Sequence, residues 1–372
     1  MYEVKWRYRP LIFLVDLIGY LLFFWKKFRP FPKTIKKILV IRLDNIGDMV
    51  LTTPVFRTLK NNFPNVEVAV LCTPITKSII QNNPNITSIF EFYSPWFSKE
   101  HYEGLSSFFD LIKKLRREKF DLVIELHADP RNIMLASLIG RYTAGYGVRG
   151  FGFLLHKVIH YRNRLEHIAQ RNLDILGDFG IKTAKLKLDI FTDKKTERKV
   201  RELLLTKKIK SFVVMHPMTA RSEKNWLSER WIELCDKLNQ TIVFTGSEQD
   251  QKIINNIISK TKNKHVYNFA GELSLNELVS LIKLSHFVVT TDTLTTHIAA
   301  ALDKNQVALF GPTHKDVWGP LSENAIVIQG RCKDIFGSIL PTADKEGTWD
   351  CMKAIHVEDV INAIKRLGKD KI

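Results

Sequence analysis

Several motifs that would assign a chemistry at once are missing from this sequence. It has no glycine-rich loop ending in Gly-Lys-Ser or Gly-Lys-Thr, which excludes P-loop phosphate transfer. It has no Asp-x-Asp triplet that would hold a divalent metal against a diphosphate, which favours a metal-independent reaction. Low-complexity tracts and short internal repeats are also absent, so the chain does not have the sequence of a repeat protein.

Cysteine is scarce and scattered. The four residues Cys72, Cys235, Cys332 and Cys351 form no Cys-x-x-Cys pair. This usage predicts reduced thiols and a cytosolic compartment. Pairing of Cys332 with Cys351, or their use as two ligands of an incomplete metal site, remains an alternative.

Acidic residues are few in comparison with basic ones. The 372 residues include 56 Lys and Arg against 39 Asp and Glu, and the formal net charge of +17 implies an anionic partner. A nucleic acid, an acidic membrane surface and a phosphorylated substrate all fit this charge. Outside the N-terminus the basic residues are spread along predicted helices without a recognition motif, so we expect no nucleic-acid partner.

The N-terminus contains an apolar run, Pro10 to Trp25, that carries only one charge, Asp16. The fifteen residues after Pro10 would form a helix of about 22 Å, which is shorter than the roughly 30 Å hydrocarbon core of a bilayer. Basic residues flank the run on both sides, and no small-residue cleavage site follows it. We therefore predict that residues 1–34 form a basic, hydrophobic helix lying in the cytoplasmic leaflet. Packing of this helix on the protein or on a partner subunit is the alternative.

After Pro32 the sequence alternates between short β-branched runs and stretches of helical periodicity. We predict strands at 37–43, 66–72, 88–92, 121–126, 211–217, 241–246, 286–292 and 306–311. This pattern indicates an α/β fold with two doubly wound, Rossmann-like domains that face a cleft. We place the first domain at 35–182, the second at 183–352, and a C-terminal helix that can return to the first domain at 353–372.

The first strand-to-helix turn is unusual. A nucleotide-binding domain normally carries a glycine-rich phosphate turn at this point. Here the sequence IRLDNIGDMVLTTP has one glycine, Gly47, and two carboxylates, Asp44 and Asp48. Phosphate would be repelled by these carboxylates, so the turn has a different task.

Each predicted strand of the second half is followed by polar side chains. Such residues cluster at the carboxyl edge of a parallel sheet, where ligands bind. Glu248 follows the second of these strands, a position that typically accepts hydrogen bonds from ribose hydroxyls. The candidate donor-binding residues are Thr219, Arg221, Lys224, Glu248, Asp292, Thr293 and His297.

Three of these residues also have a purely structural interpretation. Asp292 could be a helix N-cap, Glu248 a first-turn acid and Lys224 a solvated charge. Polar residues follow all four predicted strands of the second half, at the same edge of the sheet, and this favours a shared binding site. The stretch that begins at Asp292 opens a helix whose N-terminal amides can hold a phosphate, so together they predict a nucleotide-diphosphate site.

At the level of whole motifs the sequence resembles a known family. The stretches ILVIRLDNIGDMVLTTPVFRTLKNNFP, HPMTARSEKNWLSERW, GSEQD and TTDTLTTHIAAALDKNQVALFGPT look like the ADP-heptose:lipopolysaccharide heptosyltransferases, glycosyltransferase family 9. The resemblance extends over residues 37–365. It implies the two-domain GT-B fold, with the acceptor on the first domain and the nucleotide sugar on the second. It also implies an inverting, metal-independent mechanism that uses no cofactor.

The resemblance gives the first turn a role. The aspartate after the glycine of this turn is the family's proposed general base, and it matches Asp48. Asp44 and Asn45 would position the turn or the acceptor. In the second domain the family's donor-site lysine matches Lys224 and its ribose-binding acid matches Glu248.

The family's diphosphate turn matches Asp292, Thr293 and His297, but one position in it departs from the family. Glycine usually stands third in this turn, whereas this chain has Leu294. Leucine cannot easily take a positive φ, and its side chain crowds the backbone where a diphosphate would approach. Another nucleotide sugar, another acceptor and an inactive membrane-tethered homologue are therefore alternatives to heptose transfer from ADP-heptose onto a lipopolysaccharide core.

The N-terminal helix is additional to the simplest family members and suits an acceptor embedded in the inner membrane. We therefore expect a cytoplasmic protein attached peripherally to that membrane. Its expected partners are a nucleotide-sugar donor, an anionic glycolipid acceptor and the anionic membrane surface.

Overall fold

The computed structural model describes residues 4, 6–93, 105–160, 165–331 and 349–369. The chain divides into two compact units. The first consists of Met1–Arg164 and Ala169–Lys185, and the second of Leu165–Ile168 and Leu186–Ile372.

The first unit is built on a parallel six-stranded sheet. Its strands are β1 (Lys37–Arg42), β2 (Glu67–Cys72), β3 (Ser88–Glu91), β4 (Leu122–Glu125), β5 (Tyr142–Tyr146) and β6 (Lys157–Ile159). Its α-helices are α1 (Arg9–Leu22), α2 (Ile46–Val50), α3 (Thr53–Asn62), α4 (Pro74–Ile80), α5 (Leu105–Glu118), α6 (Pro130–Ile139) and α7 (Ile168–Gly177). The strand order is β3-β2-β1-β4-β5-β6, so the order reverses between β1 and β4.

The second unit repeats this architecture without sequence similarity to the first. Its strands are β7 (Val213–His216), β8 (Ile242–Phe244), β9 (Val266–Asn268), β10 (Val288–Thr291), β11 (Gln306–Phe310) and β12 (Ala325–Gln329). Its α-helices are α8 (Lys194–Thr206), α9 (Ser228–Leu238), α10 (Gln251–Lys260), α11 (Leu275–Leu284), α12 (Leu294–Ala301), α13 (Lys315–Trp318), α14 (Trp349–Lys353) and α15 (Val357–Lys369). The order β12-β11-β10-β7-β8-β9 reverses between β7 and β10.

The central strand β1 shows why these sequences form parallel sheets. Ile38 to Ile41 are all fully buried, and β1 pairs in register with β2 on one side and β4 on the other. A strand covered on both faces needs apolar side chains at consecutive positions, because helices pack on each face. The crossovers place the helices there, and ligands of such sheets bind beyond the carboxyl ends of the strands at the reversal point.

The predicted fold class is confirmed, and each of the eight predicted strands corresponds to an observed one. Four further strands were missed: β5, β6, β9 and β12. Strands β6 and β9 have only three residues each, and β5 has the sequence YTAGY, with glycine and alanine at two of five positions. Such segments are too short, or too poor in β-branched residues, to be recognised from pattern alone.

The C-terminal helix packs in the second unit. Val357, Val360 and Ala363 of α15 are buried in the same core cluster as Trp231. Helix α15 contacts α9, β11 and β12, and the preceding α14 contributes Met352. The apolar stripe of α15 is therefore covered within the second unit, while the return of residues 353–372 to the first domain stays a prediction.

The cysteines differ in state. Cys72 and Cys235 are free and buried, and burial raises the pKa of each thiol to about 12, which leaves them unreactive. Cys351 is in a disulfide, so the prediction of reduced thiols is wrong for this residue. Cys332 lies outside the described residues.

The N-terminal helix α1 packs against the first unit, which is the alternative that the sequence left open. Gly19 lies so close to the ring of Phe153 that a Cβ atom there would be 2.3 Å from a ring carbon. Asp16 is buried and accepts a hydrogen bond of 2.8 Å from the backbone N–H of Phe151. None of the described helices is long and apolar enough to cross a bilayer.

Replacing Gly19 by alanine tests this docking, and the same change at Gly368 is a matched control. Alanine normally stabilises a helix interior by up to about 1 kcal/mol relative to glycine. At Gly368, the penultimate residue of α15, a new Cβ would meet nothing within 4 Å, so we expect no faster amide exchange in α15. At Gly19 the new methyl group would clash with the Phe153 ring, an overpacking that typically costs about 1–3 kcal/mol.

We therefore expect Gly19→Ala to accelerate amide hydrogen exchange in residues 9–22. Unchanged or slower exchange in that segment would mean that α1 does not rest on Phe153.

Candidate active site

One buried arginine organises the first turn of the first unit. Arg42 ends β1, and its Nε donates a hydrogen bond of 2.8 Å to Oδ1 of Asp44. Its Nη2 lies 3.1 Å from Oδ1 of Asp48, and its Nη1 donates to the carbonyl of Leu126 beyond the end of β4. A single guanidinium thus links two carboxylates and the two strands of the reversal point.

Asp48 is held at both carboxylate oxygens. It lies in the first turn of α2, and Asn45, the residue before that helix, donates from its side-chain amide to Oδ2 of Asp48 over 3.1 Å. Burial raises the pKa of Asp48 above the ordinary aspartate range, and the nearby Asp44 raises it further, while Arg42 opposes both. A carboxylate with a raised pKa is a stronger base, which suits proton abstraction.

A second loop meets this turn at the end of β4. Glu125 is fully buried and accepts hydrogen bonds from the backbone N–H groups of His127 and Ala128. These bonds hold Ala128 at a φ of 60°, and burial raises the pKa of Glu125 to about 7. In this loop, Nε2 of His127 lies 3.9 Å from Oδ2 of Asp44.

His127 also lies next to Arg149 from the turn after β5. Nη1 of Arg149 is 3.4 Å from Nε2 of His127. Burial, together with the nearby charges of Arg42 and Arg149, lowers the pKa of His127 to about 3, so the imidazole is neutral near pH 7. Asp44, Asn45 and Asp48 therefore lie together, as the sequence predicts, with three additional side chains (Arg42, His127, Arg149) around them.

In the second unit an ion pair joins the two strands of the reversal point. Lys224 follows β7 and Asp292 follows β10, and Nζ of Lys224 lies 2.7 Å from Oδ2 of Asp292. The hydroxyl of Thr313, which follows β11, donates to the same oxygen. Burial alone would raise the pKa of Asp292, but Lys224 and Thr313 together hold it below the ordinary aspartate range.

The loop before Lys224 is shaped by its own side chains. The backbone N–H of Thr219 donates to Oδ1 of Asn225, and the Thr219 hydroxyl accepts from the N–H of Arg221. Arg221 itself pairs with Glu223 over 2.6 Å and is 39% exposed. Part of its positive charge is therefore offset within the loop, as the charge of Lys224 is offset by Asp292.

Helix α12 begins at the turn that the sequence assigned to a diphosphate. Thr293 is its N-cap, and its side chain accepts from the N–H of Thr295. His297 lies one turn further on and is buried. Leu294 is the first helical residue and does not have a positive φ. From the sequence, leucine was expected to be unfavourable here because it cannot easily take a positive φ. That part of the expectation is wrong, because this turn does not require the left-handed conformation that favours glycine.

Glu248 lies apart from the Lys224–Asp292 pair, after β8. It is exposed and begins the short 3-10 helix Glu248–Asp250, which Ser247 and Asp250 cap reciprocally. Gly271, at a φ of 73°, allows the loop after β9 to pack on the backbone of Glu248, because a Cβ would lie 2.9 Å from the Cα of Glu248. The carboxylate is thus presented to solvent from a fixed backbone.

Sequence reasoning missed several residues of these two clusters. Arg42 was read as part of a strand, and its position directly before the acidic turn was the available clue. His127 and Arg149 carry no motif, because they meet Asp44 only through the sheet order. Thr313 follows β11, and only the strand order brings its hydroxyl to Asp292. No group of three or more metal-ligating side chains occurs among the residues that the structure describes.

Comparisons with known proteins agree with this architecture. A model of glycosyltransferase family 9 (heptosyltransferase) matches residues 108–334. Lipopolysaccharide heptosyltransferase 3 of Escherichia coli (strain K12) is 29% identical over 302 residues, which cover 75% of this chain and 84% of that protein.

Two solved structures share the fold. A glycosyltransferase family 9 protein from Veillonella parvula DSM 2008 superposes with a TM-score of 0.78 at 22% identity, covering 89% of this chain and 97% of that one. The Escherichia coli heptosyltransferase WaaC, solved with ADP, superposes with a TM-score of 0.71 at 16% identity, covering 89% and 99%. The units described above have this GT-B fold, and the family model spans more than half of the sequence. The chain belongs to glycosyltransferase family 9 and is a glycosyltransferase enzyme.

Proposed function

We propose that the protein transfers heptose from ADP-heptose to a lipopolysaccharide core or related lipid-linked acceptor, with inversion and without a metal. The observation that carries this proposal is the pair of clusters at the two reversal points. The first unit presents a buried carboxylate, Asp48, oriented at both oxygens, and the second presents an oriented ammonium, Lys224. One relative named above is a lipopolysaccharide heptosyltransferase, and the heptosyltransferase WaaC, which has the same fold, was solved with ADP.

In this reaction Asp48 is the general base. Its carboxylate takes the proton of an acceptor hydroxyl while that oxygen attacks the anomeric carbon from the face opposite the diphosphate. The new glycosidic bond forms as the bond to the diphosphate breaks, which inverts the anomeric configuration. No general acid is needed, because a nucleoside diphosphate leaves as an anion.

Arg42 and Asn45 act through Asp48 and are positioning residues. They fix the rotamer of the carboxylate, and Arg42 also binds Asp44 beside it. His127 is neutral, so it can exchange hydrogen bonds with an acceptor hydroxyl without competing as a charged acid.

The second unit binds the donor. Lys224 offsets the charge that develops on the leaving diphosphate, and Asp292 orients the ammonium through their 2.7 Å contact. The N-terminal amides of α12, with Thr293 as N-cap and His297 in the first turns, add dipolar stabilisation. Thr219 and Arg221 shape the loop that carries Lys224, and Glu248 accepts hydrogen bonds from the ribose hydroxyls.

The acceptor is an anionic glycolipid, and the protein works in the cytoplasm as a peripheral protein of the inner membrane. The net charge of +17 and the apolar N-terminal segment support this location. No sequence triplet for a divalent metal is present, so cationic side chains and helix amides carry the diphosphate charge.

Replacing the base isosterically tests the first cluster. Asp48→Asn keeps the shape of the side chain but removes its basicity, so we expect kcat to fall by at least about 10²-fold. Binding of ADP should remain within about twofold of the wild-type value, because Asp48 lies in the other unit. Asp316→Asn, an exposed change, is the control. Wild-type turnover of Asp48→Asn at saturating substrates would remove Asp48 from the mechanism.

The pH profile gives an independent check of the same residue. Because Asp48 must be ionised to act and its pKa is raised, kcat/KM should fall on the acid side at a pH above about 4, the ordinary aspartate value. Asp44→Asn removes a charge that raises this pKa, so the acid limb should move to lower pH.

A double-mutant cycle tests the second cluster. Lys224→Met should weaken ADP binding by about 10–100-fold, the usual effect of a lost charge-assisted hydrogen bond. Asp292→Asn should weaken it less, and the double variant should lose less than the sum, because Asp292 acts through Lys224. Calorimetric titration with ADP measures each value. Lys237→Met, which changes an exposed lysine of the same unit, is the control, and equal affinities for it and Lys224→Met would contradict the assignment.

Chelation tests the metal-free mechanism. Turnover and ADP affinity should be the same in EDTA as in Mg²⁺. Loss of turnover in EDTA that is restored by Mg²⁺ or Mn²⁺ would refute metal independence.

A further inference from the structure

The N-terminal segment carries most of the exposed apolar surface of the described chain. Of 20 exposed large hydrophobic side chains, 13 lie between Trp6 and Phe28. Leu11, Leu14 and Leu21 on α1, followed by Trp25 and Phe28, are each more than half exposed. The surface of a soluble monomeric protein rarely has such a contiguous apolar patch, and a patch of this kind usually marks an interaction site.

The opposite side of α1 is fixed to the turn 147–155 that follows β5. Besides the contacts of Asp16 and Gly19, Ile12 packs against Gly150, where a Cβ would lie 2.7 Å from a methyl carbon of Ile12. Gly150 has a φ of 96°, which other residues rarely adopt. The helix is therefore seated on this turn from Ile12 to Gly19 and is not a free tether.

Two lysines close the attachment after α1. Nζ of Lys27 donates to the carbonyls of Gly152 and Leu155, and Nζ of Lys26 donates to the carbonyl of Leu154 and the hydroxyl of Ser137 in α6. These ammonium groups satisfy carbonyls around the end of the 3-10 helix Gly152–Leu154. We call these contacts of residues 12–27 with the turn 147–155 the anchor. Burial lowers the pKa of Lys27 to about 8.

The anchor lies at the edge of the sheet that carries the proposed base. The turn 147–155 continues from the carboxyl end of β5, and its Arg149 lies 3.4 Å from His127. His127 in turn lies 3.9 Å from Asp44. The apolar face and the acceptor-side residues of the first unit are thus connected through one turn.

The chemistry of the face fits an anionic bilayer. The exposed basic residues Arg7, Arg29 and Lys33 flank the apolar surface at both ends. Trp6 and Trp25 are exposed, and tryptophan favours the boundary between headgroups and acyl chains. A helix with one seated side and one apolar side flanked by cations matches an in-plane, interfacial mode of binding.

We propose that residues 6–31 form a rigid docking platform, whose exposed apolar face enters the headgroup region of an anionic bilayer and whose anchor on the turn 147–155 fixes the acceptor edge of the first unit relative to that bilayer. The platform deepens the membrane attachment of the proposed function by naming the face that enters the bilayer and the contacts that fix it, and the benefit to a membrane-embedded acceptor also rests on the proposed reaction. Binding to the bilayer does not depend on catalysis.

Vesicle binding of the full chain tests the platform without any substrate. The face variant Leu14→Ser/Leu17→Ser/Leu21→Ser removes apolar surface and leaves the anchor intact. The matched control Leu165→Ser/Leu205→Ser/Ile253→Ser changes exposed apolar residues of the second unit. A second face variant, Trp25→Ser/Phe28→Ser, serves if the first does not fold.

With phosphatidylcholine–phosphatidylglycerol vesicles, we expect the face variants to lower the partition coefficient at least about tenfold, and the control to stay within about twofold of wild type. Added salt and vesicles of phosphatidylcholine alone should both weaken wild-type binding. Equal binding of face variants and control would overturn the proposal. So would a wild-type dimer in solution that the face variants convert to a monomer, because the face would then be a contact between copies.

A variant of the anchor tests rigidity separately. Asp16→Leu removes the acceptor of the Phe151 N–H but keeps the apolar face, and Asp16→Asn can retain this bond. On vesicles, Asp16→Leu should bind within about twofold of wild type while amide exchange in the turn 147–155 rises at least about tenfold, and Asp16→Asn should restore protection. Unchanged exchange in Asp16→Leu would show that the anchor does not hold the platform.

Turnover measurements distinguish failure of the platform from failure of the proposed reaction. Asp16→Leu should lower turnover of a vesicle-embedded acceptor more than that of a short soluble acceptor. If no acceptor is turned over even by the wild type while vesicle binding behaves as expected, the proposed reaction fails and the platform stands.

Discussion

The buried guanidinium of Arg42 is the constraint on which the first unit depends. It lies at the end of the central strand and holds Asp44, Asp48 and the carbonyl of Leu126. Without it two buried carboxylates would face each other, and removing one partner of a buried ion pair typically costs about 3–5 kcal/mol. Arg42 therefore allows the fold to tolerate an acidic turn. The same contact orients the Asp48 carboxylate at the position where other nucleotide-binding domains bind phosphate.

The second unit has the same strand order, but its reversal point carries a lysine where the first unit has an acidic turn. In the proposed reaction its reversal point binds an anion, and the proposed cation there is Lys224, which pairs with Asp292. The aspartate reduces the net charge of the site but prevents the flexible lysine side chain from sampling other rotamers, which lowers the entropy lost on binding. Two sheets of equal topology thus carry clusters of different composition, to which the proposed function gives opposite roles, because function lies in the residues placed at the strand ends and not in the fold.

The N-terminal segment extends this arrangement beyond the shared fold. Its attachment combines close glycine contacts with a buried carboxylate and two lysines bonded to carbonyls. These are contacts of a folded core, whereas the opposite face has the composition of a membrane-binding helix. The sequence could not separate these two interpretations, because both require the same apolar run, and only the structure shows which side of the helix is packed and which is exposed.

The sequence by itself determined the α/β class, eight of the strands, the family resemblance and the side chains at the strand ends, because buried parallel strands require apolar runs whose polar termini are visible in one dimension. Tertiary structure alone decided which of these termini meet. It joined Lys224 to Asp292 across 68 residues and brought His127 to Asp44 and Arg149, contacts that follow from strand order. It also placed α15 on the second unit and gave Leu294 an ordinary helical start. Pairings between distant residues depend on sheet topology and packing, and neither leaves a local periodicity in the sequence.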